Sequence, residues 1–99
     1  MFATSVVFDG AMLRKGDFRE AVFRDSSFVR ASLYEADFSG ATLTGVDFRK
    51  ADLSKANFAG ADVSGARFDG AILTETALVN VARGIQTATG IATVMAIAG

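Results

Sequence analysis

The stretch "EADFSGATLTGVDFRKADLSKANFAGA", residues 35–61, places a large apolar residue at every fifth position: Phe38, Leu43, Phe48, Leu53 and Phe58. Neither regular backbone accommodates that spacing. On an α-helix a five-residue step turns about 500°, so the apolar row drifts about 140° per step and smears around the cylinder. On a straight strand an odd step sends alternate members to opposite faces. The chain must therefore turn once within every five residues, which makes each quintet one wall of a solenoid.

Working outward from this stretch, Val6 to Asn80 divides into 15 consecutive quintets without insertion or deletion. The third position is Phe at 8, 18, 23, 28, 38, 48, 58 and 68, Leu at 13, 33, 43, 53, 73 and 78, and Val at 63. The first position is Ala in ten quintets and otherwise Val6, Gly16, Ser26, Val46 or Thr76. Positions one and three are two residues apart, so on an extended wall both face the interior. Second positions are mostly Asp, Asn, Ser or Thr, and the fourth and fifth carry nearly all the Arg, Lys, Glu and Gly.

The number of walls per coil can be read from the same row. Third-position residues four quintets apart are identical in 8 of 11 pairs, against 2 of 12 for three quintets apart. Two apart also scores well, at 8 of 13; corners of about a right angle favour four. Each wall is named here by its first third-position residue, so the Phe8 wall stacks Phe8, Phe28, Phe48 and Phe68 and the Leu13 wall stacks Leu13, Leu33, Leu53 and Leu73.

Units such as Ala51-Asp52-Leu53-Ser54-Lys55 and Ala56-Asn57-Phe58-Ala59-Gly60 resemble the pentapeptide repeat family, whose motif is A(D/N)LXX with Leu or Phe at its centre. The resemblance implies an all-β fold, a right-handed quadrilateral β-helix of about 3.75 coils over residues 6–80. Val6, Val7, Met12, Gly16, Ser26, Val46, Arg67, Ile72 and Thr76 depart from the motif. Residues 1–5 form a lead-in too short to cover much of the first coil, although Phe2 could fold over it, and residues 81–99 stand outside the repeat.

That last segment, "VARGIQTATGIATVMAIAG", carries no charge after Arg83. As a helix it aligns Val81, Ile85, Ala88, Ala92 and Met95 in a stripe fit to cap the last coil or to self-associate. Gly84, Gly90 and many β-branched residues oppose a helix, and the recurrence of Ile85, Ile91 and Ile97 suits extended structure as well. Its 16 uncharged residues fall short of the roughly 20 needed to span a membrane. Val81, Ile85, Ile91 and Met95 are the candidate cap or association residues.

Composition narrows the chemistry. The 99 residues contain no Cys, His or Pro, and ten basic against eleven acidic residues leave a net charge of −1. There is no thiolate site, no imidazole acid or base, and no bulk attraction for nucleic acid. No secretory signal precedes the repeat, so the cytoplasm is the expected location. The second-position carboxylates Asp17, Asp37, Asp47, Asp52 and Asp62 suit wall and corner support better than acid–base work, and the inward Phe columns suit a core better than base stacking.

No catalytic, cofactor or metal residue is expected; the reading is a non-catalytic structural or protein-protein interaction module, partnered by a protein or by a second copy. The Leu13 wall offers Arg14, Lys15, Tyr34 and Lys55 with the exposed apolar candidates Met12 and Ile72. The resemblance also implies an alternative, protection of DNA gyrase from quinolones by mimicry of duplex DNA. The walls named by Phe8, Leu13, Phe18 and Phe23 sum to +1, 0, −2 and −1, so none is strongly anionic.

Overall fold

The computed structural model describes residues 2–76. Parallel bridges join positions twenty residues apart: Val7 to Ser27, Ser27 to Asp47 and Asp47 to Arg67 on one wall, and Met12, Ser32, Asp52 and Ile72 in succession on the next. Twenty residues are four quintets, so each coil has four walls. The two longest extended segments, β1 (Phe2–Thr4) and β2 (Val22–Arg24), pair in parallel with Phe2 opposite Val22. β1 lies in the segment read as a lead-in, so the ladder already includes residues before Val6. Phe2 does not fold over the first coil. Its backbone is held in the ladder, its side chain takes the outward second position, and it is 84% exposed.

Three bonds per quintet tie one coil to the next. The third-position N–H of Leu13 donates to the Ser32 carbonyl at 2.8 Å, the fifth-position N–H of Lys15 to the Tyr34 carbonyl at 2.8 Å, and the Ser32 N–H returns to the Ala11 carbonyl at 2.9 Å. At the corner between quintets the third-position carbonyl accepts the N–H three residues on, as in Ala31 to Phe28 at 3.0 Å. All fifteen fifth positions from Ser5 to Glu75 have φ between 54° and 73°. A positive φ only at the third residue of an i→i+3 turn is the type II pattern. Six of these corners are Gly, and the other nine are Ser, Lys, Glu, Asp or Arg.

The corner after Phe23 is built differently. Ser26 is buried, and its hydroxyl accepts the Val6 N–H at 3.2 Å and faces the Ala3 and Arg24 carbonyls at 3.3 and 3.4 Å. A hydroxyl at this first position thus satisfies backbone groups where two extended segments meet, which explains the departure from Ala.

The core holds the third-position residues and the first-position Ala rows. Phe8, Phe28, Phe48 and Phe68 stack with centroids 4.8, 5.3 and 5.3 Å apart and planes within 14°. The opposite wall stacks Phe18, Phe38 and Phe58 at 4.9 and 5.1 Å. These separations match the inter-strand spacing of about 4.8 Å, so each ring follows its own backbone. The two columns meet edge to face, for example Phe38 against Phe48 at 5.6 Å and 80°, the arrangement aromatic quadrupoles favour. Because the Phe walls face each other, residues two quintets apart also look alike. Gly16 replaces Ala because a Cβ there would lie 2.5 Å from the Phe18 ring.

Candidate interaction surface

The second-position carboxylates are engaged by their own walls. Asp37, Asp52, Asn57 and Asp62 each accept the N–H two residues on at 2.9 to 3.0 Å. These Asx turns prepare the chain for the corner. Asp47 adds an ion pair to Arg49 at 2.8 Å. Burial works to raise the Asp47 carboxyl, but the side-chain bond, backbone N–H and charge of Arg49 outweigh it and lower it. On the Phe18 wall, Arg19 grips Asp17 through Nε and Nη2, both at 2.8 Å. That side-chain bond, with the Arg19 N–H, holds Asp17 down at about 2. An open groove of about 550 Å³ runs past this pair, lined by Asp17, Arg19, Glu20, Ser39 and Gly40.

On the Leu13 wall the residues singled out in the sequence divide into two sets. The structure gathers Arg14, Tyr34 and Lys55: the Arg14 guanidinium is 5.2 Å and Lys55 Nζ 5.8 Å from the centre of the same Tyr34 ring. Lys55 is raised first by its hydrogen bond to the Tyr34 hydroxyl, then by charge, including that of Glu75, whose carboxylate is 3.8 Å away. Twenty-residue stacking creates this column, since 14 and 34 occupy one register and 55 and 75 the adjoining corner. Lys15 stands at the corner below, exposed, with φ of 59°.

Met12 and Ile72 are 82% and 51% exposed, but Ser32 and Asp52 separate them in the stack, so they do not share a patch. Val81, Ile85, Ile91 and Met95 lie outside the described residues. Sequence reasoning singled out Met12 but missed its outward apolar companions Phe2 and Val7, which take the two preceding second positions in the first coil. The signal was present, because later coils put Ser27 and Ser32 above Val7 and Met12.

These features define a parallel β-solenoid with four walls and five residues per wall. The chain belongs to the pentapeptide repeat family: two models described as pentapeptide repeats match it, one with nine copies over residues 8–52 and one with eight over 36–75. Among solved structures it is similar to a pentapeptide repeat protein, Rfr23, from the cyanobacterium Cyanothece 51142 (TM-score 0.71, 23% identity, 74% of this chain and 50% of that one). It is similar also to a pentapeptide repeat protein of the Arabidopsis thaliana thylakoid lumen (0.67, 30%, 88% and 63%). A third is QnrB1, a plasmid-mediated fluoroquinolone resistance protein (0.68, 29%, 71% and 36%). The chain spans less than two thirds of each of these proteins. No curated protein matches it in sequence.

Proposed function

We propose that the chain is a non-catalytic structural and protein-protein interaction module that meets its partner on the Leu13 wall, in the cytoplasm and without a cofactor. The observation that carries this reading is the division of labour among side chains. Phe, Leu and Ala fill the interior and most second-position carboxylates cap backbone N–H groups, while Arg14 and Tyr34, of types enriched at interfaces, form an outward cluster with Lys55. Right-handed winding, about 3.75 coils over 6–80, and capping or self-association through Val81, Ile85, Ile91 and Met95 belong to the same reading.

A photo-crosslinking residue at Tyr34 should capture a protein in cells, and the same residue at Ala59 on the Phe18 wall should not. Equal capture from both walls, or none from Tyr34, removes the Leu13 wall from consideration. For the tail, light scattering on the full chain and on a chain ending at Asn80 should give a larger mass for the former.

The similarity to QnrB1 supports a second reading, protection of gyrase from quinolones. The wall charges speak against it, since the most acidic wall sums to only −2, whereas mimicry of duplex DNA needs a dense anionic face. Supercoiling by gyrase with quinolone, in the presence of micromolar protein, decides it: no protection removes the reading.

A further inference from the structure

We infer that the Leu13 wall docks side by side on the Leu13 wall of a second copy, with the two columns running antiparallel. The inference rests on the reading of this wall as the interaction face and names the occupant of that face. Stacking twenty residues apart gives the wall three outward columns. Met12, Ser32, Asp52 and Ile72 take the second position, Arg14, Tyr34, Ser54 and Thr74 the fourth, and Lys15, Glu35, Lys55 and Glu75 the fifth. Each column complements itself when reversed end for end.

A two-fold axis lying across the wall between Tyr34 and Ser54 keeps each column opposite itself and reverses its order. In the fifth-position column Lys15 then meets Glu75 of the second copy and Glu35 meets Lys55, so all four exposed charges face an opposite one. Among the described residues Lys15 and Glu35 make no ion pair within the chain. In the second-position column Met12 meets Ile72, which joins the two exposed apolar side chains that a single copy keeps apart. Ser32 meets Asp52, whose bonds to Ser54 both run through Oδ1. In the fourth-position column Arg14 faces Thr74, and the Tyr34 ring faces Ser54 beside the axis.

This self-complementarity is not a general property of the repeat. The Phe8 wall, reversed on itself, sets Arg30 against Lys50 and Asp9 against Asp69, and like charges opposite one another reject the contact. A two-fold axis parallel to the columns fails on the Leu13 wall as well, because it brings Met12 over Lys15 and Ile72 over Glu75. Met12 and Ile72 lie three coil steps, about 14 Å, apart on a wall about 10 Å wide. That places the contact at the small end of specific interfaces, so the dimer is a transient one, populated as the concentration rises.

Sedimentation equilibrium on the full chain, from micromolar to millimolar concentration, should show the mass climbing from 10.3 kDa toward twice that value. Lys15→Glu and Glu75→Lys each set like charges opposite one another at two symmetric places, and each variant alone should dimerise about tenfold more weakly. Mixed together, the two variants should recover the lost affinity, since each carries the charges that the other lacks. Both Lys and Glu occupy left-handed corners elsewhere in the column, so the exchange keeps the fold, and an unchanged far-UV spectrum checks that. A mass of one chain at every concentration, association indifferent to either single variant, or a mixture that fails to recover overturns the inference. A different protein captured at Tyr34, with this chain single in the centrifuge, overturns the second copy as occupant and leaves the wall as an interaction face.

Discussion

At the scale of single residues, one ion pair and one ring show how differently an outward and an inward side chain contribute. Asp17 is exposed yet gripped at two points by Arg19, which holds its carboxyl at about 2. A depressed folded pKa stabilises the fold above the unfolded value of about 4. That contribution is lost as the pH falls from about 4 through 2, and exposure to solvent keeps it small. NMR titration should find Asp17 ionising near 2, and Arg19→Ala should move it up toward the ordinary carboxylate range; an unmoved Asp17 would refute the assignment. Phe48 is the opposite case. It is fully buried between Phe28 and Phe68 and lies edge-on to Phe38 and Phe58. Phe48→Ala should cost roughly 3–5 kcal/mol, enough to unfold much of a small domain. Phe48→Leu should cost less than about 1.5 kcal/mol, since the Phe23 column already passes from Phe to Leu43 and Val63. Urea denaturation of the two variants checks the ratio.

At the scale of the quintet, the corner is the element that sequence rules describe least well. The conformational freedom of Gly accounts for six corners, but Lys, Glu, Arg, Asp and Ser hold the same left-handed backbone at nine others. Their local preference is overridden by the inter-coil bond from the fifth-position N–H, as from Arg30 to the Arg49 carbonyl at 3.0 Å. Strain is therefore spread around the column, and it can be tested in both directions. Gly60→Ala adds a Cβ in ordinary contact with Gly40 at 3.8 Å, so its cost is the left-handed φ, roughly 1–2 kcal/mol, less about 0.5–1 kcal/mol of unfolded-chain freedom removed, a net loss of about 0.5–1 kcal/mol. Arg30→Gly relieves that same strain and restores about 0.5–1 kcal/mol of unfolded-chain freedom, a net gain of about 0.5–1 kcal/mol. Thermal melts should show the two midpoints moving apart in opposite directions by several degrees each. Shifts of the same sign would mean that local contacts, not φ, set the corner energy. The walls themselves were legible because a five-residue step with a same-side pair at positions one and three leaves few backbones to choose from. The Arg14–Tyr34–Lys55 cluster was legible only as shared wall membership. Which side chains meet depends on rotamers, and Met12 and Ile72 share that wall yet lie apart.

At the scale of the whole molecule, stability follows from stacking one coil on the next rather than from a single centre. Among the described residues each interior coil is bonded on both sides, while the first is bonded only to the one that follows it: Phe8 and Leu13 donate to Ser27 and Ser32, but no described backbone N–H donates to the carbonyls of Val7 and Met12. Burial grades the same way, since Phe8 and Leu13 are partly buried whereas Phe28 and Leu33 are fully so. The four-wall count and the inward rows were written in the repeat, but this gradient was not, because it depends on which coil lacks a neighbour. Nearest-neighbour stabilisation predicts that coils open from an end, with the interior opening last. Hydrogen exchange at low protein concentration should therefore find the Phe8 and Leu13 amides faster than those of Phe28 and Leu33, though all four make the same ladder bond at 2.6 to 2.8 Å. Equal protection of all four amides would show that the column opens as one cooperative unit.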